Sequence, residues 1–145
     1  MGRIEAIWLK RAVRGPMDAV AEASCIEGEG ILGDANKGRS KRQVTVIEKE
    51  TFDHIRATLP DAEPVMRRAN VMVSGVRLEA SRGRTLSLGD VRIRIGGETR
   101  PCERMDEQCQ GLRAALEPAW GGGAYGVVLE GGTLRVGADA ALEAE

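Results

Sequence analysis

A chain of 145 residues with 42% apolar and 30% charged side chains has the composition of one globular domain, so residues 1–145 are read as a single unit. Lys and Arg (21) balance Asp and Glu (22) to a net charge of −1, and aromatics are 3%, which argues against a nucleic-acid polymer as partner. No apolar run approaches the ~20 residues of a membrane span, and residues 1–6 lack the apolar stretch of a signal peptide, so the expected location is cytoplasmic.

Short apolar runs with period-2 alternation predict strands at 4–9, 20–26, 43–47, 70–76, 85–88, 91–95, 124–129, 133–136 and 140–142. Glycine, 19 of 145 residues, punctuates them. The clearest is Val91-Arg92-Ile93-Arg94-Ile95, with three aliphatics on one face and two arginines on the other. Two helices are predicted, 49–59 ahead of Pro60 and 110–116 ahead of Pro118. Many short strands and few helices give a mainly β fold, a barrel or strongly curved sheet.

Cys25 lies inside an apolar strand and reads as core. His54, the one histidine, lies on the polar face of the first predicted helix. With no Gly-x-Ser-x-Gly elbow, a Ser-His-Asp hydrolase has no footing, and the scattered cysteines give no zinc motif.

Four stretches carry more polar residues or glycines than turns require. Residues 33–43 hold Lys37, Arg39, Lys41 and Arg42 among glycines, which suits either an anion-binding loop or a solvated one. Arg67-Arg68-Ala69-Asn70 enters a strand; arginine forks bind phosphate or carboxylate, and Asn pairs with heterocycle edges. In Thr99-Arg100-Pro101-Cys102-Glu103-Arg104, the proline turns the chain off its ladder and two arginines flank a thiol, a setting that favours thiolate. Cys109 is read as a second thiol at a helix start. Gly121-Gly122-Gly123 permits close backbone approach to a ligand but matches neither a dinucleotide fingerprint nor a Walker loop.

Taken in order, Gly15-Pro16-Met17, Gly30-Ile31-Leu32-Gly33-Asp34, Arg42-Gln43-Val44, Arg68-Ala69-Asn70-Val71, Ser74-Gly75-Val76, Leu88-Gly89-Asp90, Arg100-Pro101-Cys102, Gly122-Gly123-Ala124-Tyr125-Gly126 and Gly131-Gly132-Thr133-Leu134 resemble a MOSC domain, named for the C-terminal region of molybdenum cofactor sulfurases. The likeness runs from about residue 4 to 142 and is nearest to the short, stand-alone bacterial members. It implies a barrel-like fold with a few short helices that binds the molybdenum–pterin cofactor.

By that resemblance Cys102 is the protein ligand to molybdenum, and Arg100 is the catalytic arginine beside it. Arg42, Arg68, Asn70, Arg100, Gly33, Gly122 and Gly123 are the cofactor-binding residues that it implies. One thiolate suits a metal already held by a soft dithiolene. Many relatives carry His where Asn36 stands, which leaves that position without a transferred role. Pyridoxal phosphate, a frequent label in the family, has no lysine motif here.

The resemblance implies a reductase of N-hydroxylated compounds that draws electrons from a reductase partner, with the cofactor held by one domain or shared across a homodimer. The alternatives are a carrier of cofactor or persulfide sulfur serving a cofactor-biosynthesis protein, and a barrel used only for protein contacts.

Overall fold

The computed structural model describes residues 2–144. Eleven strands and three short helices follow one another: β1 (Gly2–Lys10), β2 (Met17–Val20), β3 (Glu22–Ile26), β4 (Gly30–Ile31), β5 (Val44–Glu48), α1 (Lys49–Arg56), β6 (Val71–Ser74), β7 (Thr85–Leu88), β8 (Val91–Glu98), α2 (Glu103–Gln108), α3 (Leu112–Leu116), β9 (Ala124–Glu130), β10 (Gly132–Arg135) and β11 (Asp139–Leu142). The mainly β expectation holds, and the sheet closes on itself. The order β1-β6-β5-β9-β8-β7-β11 returns to β1 through Gly2↔Ala140, making a seven-stranded barrel with β2 hung on the far half of β1. Closure removes the free sheet edges that an open sheet would expose.

Alternation explains the wall. Val91, Ile93 and Ile95 of β8 point inward and are buried, and Arg92 and Arg94 point outward. The barrel core also takes Ile4 and Ile7 from β1, Val44 and Val46 from β5, Val71 and Val73 from β6, and Leu86 and Leu88 from β7. All barrel pairings are antiparallel except β5 with β6, whose parallel register sets Val46 beside Val71. A second, smaller core lies outside the wall, where Phe52 and Ile55 of α1, Met105 of α2, and Leu112 and Leu116 of α3 pack against Ile47 and Met72.

Several boundaries differ from the sequence reading. The run 20–26 is not one strand: the chain bends at Ala21, whose carbonyl accepts from Val136 N at 3.0 Å, and β2 and β3 enter different sheets. Helix α1 ends at Arg56, and the chain continues to Leu59 in turns. The helix expected at 110–116 starts at Leu112, because Gly111 takes φ +92° and the Asp106 carboxylate accepts from the N–H groups of Gly111 and Arg113. Cys109 therefore follows a helix, α2, that the sequence reading did not contain.

Candidate functional site

At one end of the barrel, where β1 and β8 finish and β5 and β6 begin, the rim opens into a cleft of ≈ 260 Å³. Three segments enclose it. The first is the loop between β4 and β5, folded by Asp34: one carboxylate oxygen accepts from Lys10 N (2.8 Å) and Asn70 Nδ2 (3.0 Å), and the other from Asn36 N (3.0 Å). This Asx turn fixes the loop to β1 and places Asn36, Arg39 and Arg42 along the rim. Arg42 lies over the Tyr125 ring at 4.7 Å, a cation–π contact that limits where its guanidinium can go.

The second segment is the 3-10 turn Pro64–Arg67 and Arg68, which closes the turn in the left-handed conformation (φ +61°). That turn sends two consecutive guanidinium groups different ways. Arg68 donates to Gly15 O at 2.6 Å, and Arg67 runs inward to donate to Gly122 O (2.8 Å) and Thr99 O (3.4 Å). Burial pulls the Arg67 pKa down, the Cys102 sulfur opposes that pull, and Arg42 adds to it. Burial likewise lowers Lys10, partly countered by Asp34, while the Arg68, Arg39 and Arg104 charges lower it further.

The third segment is the exit of β8. Thr99 N donates to Gly123 O, Pro101 turns the chain, and Cys102 begins α2 with an exposed thiol. Arg104 and the buried Met105 follow on α2.

The cleft thus gathers seven cations, Lys10, Arg39, Arg42, Arg67, Arg68, Arg100 and Arg104, with no carboxylate in its lining. In a chain of net charge −1, that concentration gives the cleft a positive field suited to an anion. A second chamber of ≈ 390 Å³ shares Arg68, Arg104 and Met105 and adds Arg14. Together the two chambers fall within the range of about 300–1,000 Å³ of small-molecule clefts. Two buried side-chain oxygens in the lining, Asn36 Oδ1 and Thr99 Oγ1, have no hydrogen-bond partner among the described residues.

The structure brings Arg42, Arg68, Asn70, Arg100 and Cys102 together in this cleft. Arg100 is the loosest of them, its side chain 86% exposed and 3.9 Å from Glu98. Asn70 is 2% exposed and fully engaged: its oxygen accepts from Thr45 N and Oγ1, and its nitrogen donates to Trp8 O and Asp34. It therefore fixes the floor and has no edge left for a heterocycle.

The three glycines lie outside the lining. Gly33 turns the chain at φ +88° beside Arg11. A Cβ on Gly122 would meet Thr99 O, and one on Gly123 would meet Val46 O, so these residues allow two backbones to touch and do not admit a ligand.

Lys10, Arg39, Thr45, Arg67, Thr99, Arg104 and Met105 join the cleft without having been assigned to it from sequence. The basic run at 33–43 signalled Arg39, and the Arg-Arg pair signalled Arg67. Nothing local signalled Lys10, the last residue of a strand. Cys25 is core as expected, its thiol pushed up to about 12 by burial, and Cys109 packs half-buried against the helical core.

Elsewhere, a larger cavity (≈ 690 Å³) lies beside α1, with Glu48, Glu50, exposed His54 and Arg77 in its lining. Among the described residues no helix is long and apolar enough to cross a membrane, and no group of three or more His, Cys, Asp or Glu could hold a metal ion.

Comparison with known proteins agrees with the fold. The family model for the MOSC domain matches residues 33–140. No curated protein matches the chain. Among solved structures, the YuaD protein of Bacillus subtilis is similar at TM-score 0.80 and 20% identity, over 97% of this chain and 94% of that one. YiiM of Geobacillus stearothermophilus is similar at TM-score 0.76 and 15% identity, over 99% and 76% of the two chains. YiiM of Escherichia coli follows at TM-score 0.73 and 15% identity, over 99% and 70%. At such identities the likeness is one of fold.

Proposed function

This chain belongs to the MOSC domain family, which is associated with molybdenum cofactor binding, and on that premise we propose that its cationic cleft holds the molybdenum–pterin cofactor with Cys102 as the protein thiolate ligand to the metal. The observation that carries the reading is one exposed sulfur among seven cations, with no carboxylate in the lining.

The donor set fits the group. Arg39, Arg42, Arg68 and Lys10 supply charge and N–H forks for the cofactor phosphate, and the Cys102 thiolate is a soft ligand of the kind a dithiolene-bound metal accepts. Asn36 Oδ1 and Thr99 Oγ1 are buried polar atoms of lining residues that have no partner among the described residues.

When bound, the cofactor supplies two-electron redox chemistry, and the activity we propose is reduction of an N-hydroxylated compound to the amine and water. The two electrons come from a partner reductase, and the two protons from solvent and cleft groups. Arg67 lines the cleft together with Cys102 and brings a positive charge to the metal-binding end of the site. Arg100 and Arg104 offset negative charge gathered at the mouth. Lys10, its pKa lowered chiefly by burial, is the lining amine best placed to release a proton from Nζ.

Metal and pterin analysis of protein purified from a cofactor-competent host tests the reading. Wild type is expected to carry both, and Cys102→Ser to lose molybdenum at least tenfold. Equal metal in the two samples would overturn the ligand assignment.

The exposure of Cys102 supports a second reading, delivery of cofactor or sulfur to another protein. A labile adduct of ~32 Da on Cys102, without molybdenum, would favour it.

A further inference from the structure

Among the described residues, two buried side-chain oxygens lack a hydrogen-bond partner, and both belong to residues lining the same cleft. Neither is free to turn away by moving its backbone. Asn36 donates its N–H to Asp34 Oδ2 at 3.0 Å, and its carbonyl accepts from Arg39 N at 3.2 Å. Thr99 donates its N–H to Gly123 O at 2.8 Å, and its carbonyl accepts from Arg67. The residues are 8% and 6% exposed, so bulk water does not readily serve either oxygen. A rigid, buried and unengaged polar atom is costly to the free protein, and in a cleft it becomes a contact reserved for a ligand.

The chemistry of the pair narrows the ligand. The oxygen of a carboxamide only accepts, so Asn36 Oδ1 calls for an N–H or O–H; the threonine hydroxyl can accept and donate. A carboxamide and a hydroxyl lining one cleft complement the lactam or aminopyrimidine edge of a fused heterocycle, where N–H groups and a carbonyl alternate. The surrounding guanidinium groups call for an oxyanion.

We infer that Asn36 and Thr99 form a recognition pair for the N–H-bearing edge of a heterocycle whose anionic end is held by the cleft arginines. This rests on the cofactor reading and deepens it. The edge belongs to the pterin ring of the cofactor or to a heterocyclic substrate, and the two sources are separable.

Calorimetric titration with guanosine 5′-monophosphate, which has both the edge and the phosphate, is compared with ribose 5-phosphate, which has only the phosphate. Wild type is expected to bind the nucleotide more tightly. Asn36→Leu and Thr99→Val should each weaken the nucleotide about tenfold, leave ribose 5-phosphate unchanged and not lower the melting temperature of the ligand-free protein. Nucleotide and sugar phosphate bound alike by wild type, both weakened alike by the substitutions, or variants that melt several degrees lower would overturn the pair and leave Asn36 and Thr99 as framework.

Pterin content of the same variants from a cofactor-competent host identifies the source. A loss points to the pterin ring; undiminished pterin with a raised KM for an N-hydroxylated purine points to the substrate. Wild type without molybdenum and pterin overturns the cofactor reading, and the titration still decides the edge.

Discussion

The rim cleft and the cavity beside α1 differ in the opposite sense from their sizes. The α1 cavity, at ≈ 690 Å³, is the roomier, yet its two carboxylates are engaged by the protein: Glu48 accepts from Leu78 N at 3.0 Å and Glu50 from Gly75 N at 2.7 Å. The cleft, at ≈ 260 Å³, has cations without lining counter-charges and two oxygens without partners. Volume reports where chains fail to meet; unengaged polar chemistry reports what the space is for. At the α1 cavity the two carboxylates tie the loop after β6 to the end of β5 and the start of α1, and the cleft is the place where the fold keeps charge concentrated.

The largest effect expected from breaking this contrast is on anion affinity. Arg39→Gln with Arg42→Gln should weaken pyrophosphate binding about 100-fold, from about 1.5 kcal/mol per charge-assisted contact, and leave stability within about 0.5 kcal/mol. Titration and denaturant melts on the double variant check both halves. The same double change would be the wrong experiment if these cations served the fold, and a large loss of stability would say so.

Arg67 tests the converse, since it is the cleft cation tied to two backbone carbonyls. Arg67→Met should cost about 2 kcal/mol of stability, because the carbonyls of Gly122 and Thr99 lose a donor. Unfolding by denaturant measures it.

Lys10 sharpens the comparison through pH. Its folded pKa lies below 10.5, so its charge disappears as pH rises through the lowered value, and anion affinity should fall there by up to about tenfold. Stability should move the other way. The folded state binds fewer protons than the unfolded one across that interval, so stability rises with pH until 10.5 is passed. Lys10→Met should flatten both trends.

The smallest effect is expected in the α1 cavity. Burial raises Glu48 above its ordinary 4.5, so its carboxylate form weakens the fold as pH climbs past that value. Glu48→Gln should match wild type below pH 4.5, be the more stable of the two near neutral pH, and leave anion affinity untouched. Melting curves at acidic and neutral pH decide it.

Much of the barrel was legible because a strand buried on one face writes its alternation into local sequence, as Val91 to Ile95 does. Helix α2 was not: Met105 is its one buried residue, too little to show a period. Nor was the break at Ala21, which depends on a carbonyl reaching a residue more than a hundred positions away. In the site, Cys102 and Arg100 were marked by a proline turn and adjoining charges. The structure reassigns Asn70 from ligand contact to framework, because its partners Trp8, Asp34 and Thr45 come from three other segments and no local pattern shows that they converge. The glycines were misleading for a related reason: absence of a side chain signals close approach without saying to what, and for Gly122 and Gly123 it is the protein's own carbonyls.

The division into a barrel core and a small external helical core has a mechanical consequence. Cys102 begins the segment that belongs to the lesser of the two, moored there chiefly by Met105 and Leu112. The amide hydrogens of residues 103–116 are therefore expected to exchange ahead of those of the barrel wall. The sulfur thereby sits at the margin of the less protected core, and Arg67 is tied to two backbone carbonyls next to the wall strands β8 and β9.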